Sequence, residues 1–399
     1  MLTARQLFQQ YLAKTSDFPL ELEPVKAEGI HLFDKSGKKY IDLISGISVS
    51  NLGHRHPEVI HAIKKQLDKY TYLMVYGEYV LSPQVKLAEL ITRHTSPDLD
   101  NVYFVNSGTE AVEGAIKLAK RYTGRPHVIS FKNAYHGSTQ GSLSLMGNET
   151  YKQAFRPLVP GIRHIHLNSI QELDKINDKT ACVILEPVQG EAGIRIPGKE
   201  YMSVLRKKCT ENGALLVFDE IQTGYGRTGT LFNYQQYEFT PDIISLAKGM
   251  GGGMPLGAFI SSKKIMSSLK NNPILGHITT FGGHPVSCAA SLKTLEVILR
   301  DKIIDDVPGK EKIFRENLIH PAIKEIRSKG LFMAIELDSF ETVKKVIIRC
   351  LEKGLITDWF LFCNNALRVA PPLTITPGEI RLACEIIVES VEEVWKGDR

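Results

Sequence analysis

Six short apolar runs recur through the middle of this 399-residue chain, most of them separated by stretches long enough for a helix. They are NVYFVN at 101–106, HVISF at 127–131, ACVILEP at 181–187, ALLVFD at 214–219, DIISLA at 242–247 and GAFISS at 257–262. A strand with one wet face alternates apolar and polar residues, whereas a strand covered on both faces reads as continuous hydrophobe. The pattern therefore predicts an α/β fold, a mostly parallel central sheet sandwiched by helices. Between the runs, Thr109 to Lys120 places Ala111, Ala115, Ile116 and Ala119 on one helical face, and Pro285 to Leu299 also reads as helix. Functional groups in such a sheet belong at the C-terminal strand ends.

Around this centre the chain divides into three parts. Residues 51–290 form a large α/β domain; 291–399 form a smaller α+β domain with GLFMAIEL and ALRVAPPL as candidate strands; 1–50, with the hairpin-like HLFDKSGKKYIDL, pack with the smaller domain. A 43% hydrophobic, 23% charged composition suits a soluble globular protein with a large core. The net charge of +5 is mild and dispersed, so it argues for no nucleic-acid partner, though it suits anionic ligands. Six cysteines without a CxxC pair read as buried free thiols in a reducing compartment, with no disulfide framework and no metal site. No run approaches the ~20 apolar residues of a membrane span, and the N-terminus lacks a signal-like apolar core. The expected location is the cytoplasm.

Two of the strand ends carry unusual chemistry. Asp219 follows ALLVF, and Lys248, 29 positions later, follows DIISLA and precedes a run of glycines. A carboxylate and an amine so placed are what a pyridoxal phosphate site requires: the lysine forms a Schiff base with the cofactor aldehyde, and the aspartate keeps the pyridine nitrogen protonated. A turn-capping aspartate and a solvated loop lysine would look the same in isolation. Ser107-Gly108-Thr109, directly after the first run, opens a helix. It offers hydroxyls and free amides to a phosphate, or simply an N-cap. Tyr135 and His136 stand at a turn after the second run, where an aromatic ring either stacks on a pyridine face or belongs to the core. Glu186 ends a buried strand and needs a partner there, as a site residue or as an anchor for the next loop.

The ordered set NSGTEA, AYHG, LEPVQGEAG, VFDEIQTGYGRTG, LAKGMGGGMPLGAF, TTFGGHP and LRVAPPL resembles the class III aminotransferases, the ornithine/acetylornithine aminotransferase family of fold type I pyridoxal phosphate enzymes. The resemblance runs from about Gly29 to about Pro372. It implies Lys248 as Schiff-base lysine and proton shuttle, Asp219 on the pyridine nitrogen and Gln222 at the ring hydroxyl. Ser107, Gly108 and Thr109 would hold the phosphate, with Tyr135 and Ile221 on opposite ring faces. Thr280 would reach the phosphate of a neighbouring subunit, so that a homodimer shares its active sites. The implied reaction is ping-pong amino transfer from an ω-amino donor, acetylornithine-like or ornithine-like, to 2-oxoglutarate.

The resemblance also bears on the substrate. Arg368 would bind the α-carboxylate of the 2-oxo acid, and Glu191 would pair with Arg368 when the substrate presents a terminal amine instead. Ser138 stands where ornithine and acetylornithine enzymes carry an arginine for the distant carboxylate, and a hydroxyl cannot replace a guanidinium as a clamp. His284 and Ile278 replace a usual asparagine and glycine. Ile47, where the ornithine enzyme has tyrosine, leans toward the acetylornithine type, and Tyr79 is placed in the same pocket. Diaminobutyrate, polyamines and other ω-amines remain open as donors. Aminomutases and racemases, which need the same Lys248 and Asp219, and a non-catalytic cofactor-binding protein are the other classes.

Overall fold

The computed structural model describes residues 2–397. Three N-terminal strands, β1 (Pro24–Glu28), β2 (His31–Asp34) and β3 (Lys39–Asp42), form an antiparallel meander, so the HLFDKSGKKYIDL hairpin is observed. The central sheet follows with β4 (Asn101–Val105), β5 (His127–Phe131), β6 (Ile162–Ile165), β7 (Thr180–Leu185), β8 (Leu215–Asp219), β9 (Ile243–Leu246) and β10 (Gly257–Ser261). Its order is β4-β10-β9-β8-β7-β5-β6. All contacts from β6 to β9 are parallel, and β10 runs antiparallel to both its neighbours. Six of the seven strands are the six apolar runs of the sequence. The edge strand β6, IRHI, escaped notice because an edge need not be continuously hydrophobic.

Period-two alternation sends each central strand into two cores. On one face Ile129, Val183, Leu216, Phe218 and Ile244 pack with Leu205 of helix Lys199–Asn212 and Leu295 of helix Pro285–Arg300. On the other, Val128, Ile184, Val217 and Phe259 pack with Ala111, Ala115 and Ile116 of helix Gly108–Thr123. This double burial is why the strands read as unbroken hydrophobe. The helix lies close to the sheet at Gly114, where a Cβ would fall 2.2 Å from the Phe259 ring.

The C-terminal region adds β11 (Glu325–Ser328), β12 (Met333–Glu336), β13 (Leu355–Ile356), β14 (Asp358–Phe360) and β15 (Cys363–Val369). Four of these make an antiparallel sheet in the order β11-β12-β15-β14, while β13 extends the N-terminal sheet by pairing parallel with β3. Ile30, Ile41 and Leu43 share a core with Val343, Ile347, Leu367 and Ile387. Arg227, wholly buried, ties the parts together: it donates to the carbonyls of Leu331 and Pro371 and to Asn51 Oδ1, at 2.9, 2.5 and 2.7 Å. Among the described residues no helix is long and apolar enough to cross a membrane.

Candidate active site

β4 runs in the same direction as β5 through β9, because β10 is antiparallel to both β4 and β9. The C-terminal ends of six strands therefore face one way, and the segments that follow five of them, β4, β5, β7, β8 and β9, bound a cavity of about 520 Å³. Its lining includes Ser107, Gly108 and Thr109 after β4, Tyr135, His136 and Ser138 after β5, Glu186 after β7, Asp219, Ile221 and Gln222 at the end of β8, and Lys248 after β9. Val49, Asn106, Gly137, Val188, Thr223, Ala247 and the 253–256 turn complete the wall; all but Val49 fall within the motifs quoted above, where they supply mainly shape.

Asp219 is nearly buried and fully engaged. Its Oδ2 lies 2.7 Å from His136 Nδ1, and its Oδ1 accepts the Ile221 amide at 3.1 Å. Burial alone would favour neutral His136, but the hydrogen bond and charge of Asp219, joined by Glu186, hold its pKa above the ordinary value. Glu186 accepts the amides of Tyr135 and Gly190 at 2.9 and 3.0 Å. Its carboxyl is pushed up to about 7 by burial. It thus pins the Tyr135 turn to the loop that carries Glu191.

Lys248 sits two residues beyond the end of β9 in the left-handed region, φ 49°. That conformation costs a non-glycine residue on the order of 1–2 kcal/mol. Next to it, Gly249 is pressed so closely on Asn51 that a Cβ would fall 2.5 Å from Asn51 Nδ2. Asn51 in turn is fixed by Arg227 and by the carbonyl of Tyr225. The Lys248 amine makes no hydrogen bond or ion pair with a described residue, and burial pulls it down to about 8, against the opposing charge of Glu191.

At the other end of the cavity, Ser107 caps helix Gly108–Thr123 by accepting the Glu110 amide at 3.3 Å. The first turn leaves backbone N–H groups free and adds the positive end of the helix dipole. Gly108 touches the ceiling: a Cβ there would lie 2.8 Å from Ile221 Cδ1. Thr109 Oγ1 is 2.6 Å from Thr139 Oγ1, and the Tyr135 hydroxyl is 3.2 Å from Ser138 Oγ.

Beside the cavity, Arg368 and Glu191 form a buried bidentate pair with both N–O distances 2.9 Å. Gln222 connects the pair to the cavity, its Nε2 donating to Glu191 Oε1 at 3.4 Å while its own Oε1 is buried without a donor. Sequence reading missed a third member. Asp358 stands opposite Arg368 in the β14–β15 register and places Oδ1 3.0 Å from Nε, in an orientation short of a good hydrogen bond. Only the strand pairing reveals it, because no motif surrounds Asp358.

Tyr79, expected in the pocket, lies elsewhere in this chain, and Thr280, expected to serve a neighbouring subunit, lies away from this chain's own cavity. Tyr79 is half exposed and lines a separate cavity of about 280 Å³ with Tyr103 and Thr279. Thr280 is exposed, and its carbonyl accepts the Tyr72 hydroxyl at 2.7 Å. Of the unusual residues, His284 has a local structural use: it caps helix Pro285–Arg300 by accepting the Val286 amide at 3.3 Å. Ile278 is exposed.

The sequence description of the family Aminotransferase class-III matches residues 11–391. The acetylornithine aminotransferase of Caldanaerobacter subterraneus subsp. tengcongensis is 39% identical, the match covering 97% of this chain and 98% of that protein. The acetylornithine aminotransferase of Methanopyrus kandleri is 37% identical over the same 97% and 98% shares. Among solved structures, a transaminase from the marine bacterium Virgibacillus superposes with TM-score 0.92 at 27% identity, covering 98% of this chain and 99% of that one. The ornithine aminotransferase of Toxoplasma gondii ME49 gives 0.91 at 29%, covering 99% and 97%.

Proposed function

The chain belongs to the class III aminotransferases, and on that premise we propose that it moves an amino group from an ω-amino donor of the acetylornithine or ornithine kind to 2-oxoglutarate, in a ping-pong cycle on pyridoxal phosphate. The observation that carries this reading is the juxtaposition of Lys248, whose amine has no hydrogen-bond or ion-pair partner among the described residues, with the Glu191–Arg368 pair across Gln222.

The residues fit the cofactor. The helix start at Ser107, Gly108 and Thr109 suits a phosphate, and Gly108 is held free of side chain by Ile221. Asp219, oriented by its hydrogen bond to His136, would hold a protonated ring nitrogen; Tyr135 and Ile221 would flank the ring; the donor-less Gln222 Oε1 would meet its hydroxyl. When bound, the cofactor supplies an aldehyde and an electron-withdrawing ring that accepts the electrons released at the donor carbon. The rest falls to the chain. An amine near pH 8 is partly unprotonated in neutral solution, so Lys248 Nζ can take the proton from the donor carbon and return it. Glu191 holds Arg368 while a terminal amine is bound; by moving aside, it frees the guanidinium for the carboxylate of the 2-oxo acid. Glu186 keeps the Tyr135 turn in place throughout.

A homodimer belongs to the same reading. Segments 72–85 and 274–281 expose Leu73, Val80, Val85, Ile274 and Phe281, and Thr280 lies among them. A second copy covering this apolar surface would bring its Thr280 toward the neighbouring cavity. A cytoplasmic location completes the proposal.

The test is to add acetylornithine, ornithine, diaminobutyrate and putrescine in turn to protein loaded with pyridoxal phosphate. Bleaching of the cofactor's visible band by an amine, reversed by 2-oxoglutarate, with parallel double-reciprocal plots, is the expected outcome. A band that responds to no amine would refute amino transfer and point to an aminomutase or racemase.

A further inference from the structure

The β14–β15 hairpin turns at Leu361 and Phe362, between the paired Phe360 and Cys363, and its tip rests on Glu191. Two consecutive amides grip that residue. Leu361 N–H donates to the carboxylate Oε2 at 3.0 Å, and Phe362 N–H donates to the backbone carbonyl at 3.0 Å. Oε2 is also the oxygen that accepts Arg368 Nη2 at 2.9 Å, so the tip supports the carboxylate where it is paired with the arginine.

The tip is itself braced by Tyr151. The Tyr151 hydroxyl donates to the Leu361 carbonyl at 3.0 Å, and the ring meets the Phe362 ring edge-on, with centroids 5.3 Å apart. The peptide group between Leu361 and Phe362 is therefore held at both ends, its C=O by Tyr151 and its N–H by the Glu191 carbonyl. Bonds linked in this way polarise one another. Tyr151 is fixed in turn. It ends the short turn Glu149–Tyr151, and the buried Lys152 beside it donates to the Met146 carbonyl at 2.7 Å and pairs with Glu149 at 3.2 Å. Tyr151 is not part of the cavity lining, so its hold on the site runs through the hairpin.

We infer that Tyr151 is a positioning residue for the exchange at Arg368: by bracing the hairpin tip it holds Glu191 on the arginine, and so sets how readily the carboxylate of a 2-oxo acid takes that place. The inference rests on the aminotransferase reading and on the part Glu191 plays in it. The paired state receives a terminal amine and resists a carboxylate, so loosening the tip acts with opposite sign on the two substrates. Loss of one neutral hydrogen bond by a hydroxyl of a 40% exposed residue corresponds to roughly a two- to fivefold change in affinity.

The experiment compares the unmodified holoenzyme, Tyr151→Phe, Glu191→Gln and the double variant in steady-state kinetics. The acceptor is 2-oxoglutarate, and the donor is whichever of acetylornithine, ornithine, diaminobutyrate and putrescine bleaches the cofactor most strongly. Tyr151→Phe keeps the ring and removes only the hydroxyl. It should lower KM for 2-oxoglutarate roughly two- to fivefold and raise KM for the donor, with kcat little changed. Amide exchange in the peptide spanning 359–363 of the apoprotein, read by mass spectrometry, should quicken. In the Glu191→Gln background the same change should no longer shift the ratio of the two KM values, because it acts through the Glu191 carboxylate. A merely structural tyrosine would move both KM values the same way. That result, an unshifted ratio in Tyr151→Phe, unchanged amide exchange, or an undiminished shift in the double variant would each overturn the inference while leaving amino transfer intact. If Glu191→Gln alone weakens both substrates equally, the role of Glu191 at Arg368 fails and this inference fails with it. Bound cofactor that no amine bleaches would instead overturn the aminotransferase reading as a whole. If Tyr151→Phe does not fold, Phe362→Leu, which removes the ring contact from the other side, should shift the KM ratio in the same direction and decides.

Discussion

Two glycines of one helix should respond oppositely to the same added methyl group. At Gly108 the new Cβ meets Ile221 Cδ1 at 2.8 Å, about half an ångström or more inside ordinary contact, and this atom is the free end of a half-buried side chain beside the cavity. Ile221 can yield, but only by moving toward the space assigned to the cofactor ring. At Gly114 the Cβ meets Phe259 at 2.2 Å, and Phe259 is fully buried and stacked on Tyr103 with centroids 4.9 Å apart, so nothing yields. Replacing glycine by alanine in a helix is worth up to ~1 kcal/mol in propensity, and forced overpacking costs about 1–3 kcal/mol. Gly108→Ala should therefore leave the apoprotein within about 1 kcal/mol of its original stability. Its pyridoxal phosphate affinity should drop by 1–3 kcal/mol, roughly 5- to 150-fold in Kd. Gly114→Ala should lose about 1–2 kcal/mol of apoprotein stability, its close contact outweighing the helical gain. Urea unfolding of the apoproteins and fluorescence titration with the cofactor measure the two quantities separately. Unchanged cofactor affinity in Gly108→Ala, or a drop matched by an equal loss of apoprotein stability, would refute the reasoning.

Three further outcomes follow from the buried charges. Glu186 and Glu220 are each raised by burial to about 7, so their contribution to folding is complete below the unfolded value near 4.5 and is lost as pH rises through about 7; the urea midpoint of the apoprotein should fall between pH 5 and 8, and a flat profile would count against it. Lys248, lowered to about 8, should undergo reductive methylation in the apoprotein with a midpoint near pH 8, read by peptide mass spectrometry, and a midpoint at 10 or above would contradict the burial argument. Glu191→Gln removes the charge on the terminal nitrogens of Arg368 while Asp358 remains on Nε, so KM for 2-oxoglutarate should fall by roughly tenfold and terminal amines should bind worse; equal losses for both would show that Glu191 does not gate the arginine.

Much of the architecture was legible because burial on both sheet faces leaves a direct trace. Val128 and Ile129, or Val217 and Phe218, point to opposite cores yet are both apolar, and no other common environment requires that. The helix Gly108–Thr123 showed itself by its small-residue face, the hairpin β2–β3 by its turn. The pairing of β13 with β3 was not legible, since two residues of strand joining segments over 300 positions apart carry no local signal. At the site, the residues that bear chemistry stand at strand ends within short motifs, and this is why Asp219, Lys248, Glu186 and the Ser107–Thr109 turn could be named beforehand.

The sequence by itself determined six of the seven central strands, the burial of both sheet faces and the reactive groups at the sheet's C-terminal edge, because each is encoded by neighbours along the chain. What the groups do to one another was decided only by tertiary structure. The His136–Asp219 bond joins residues 83 positions apart, the second carboxylate on Arg368 comes from a neighbouring strand, and Tyr79 and Thr280 lie away from this chain's own cavity. Electrostatic coupling depends on distance and burial in space, and neither can be read from position along the chain.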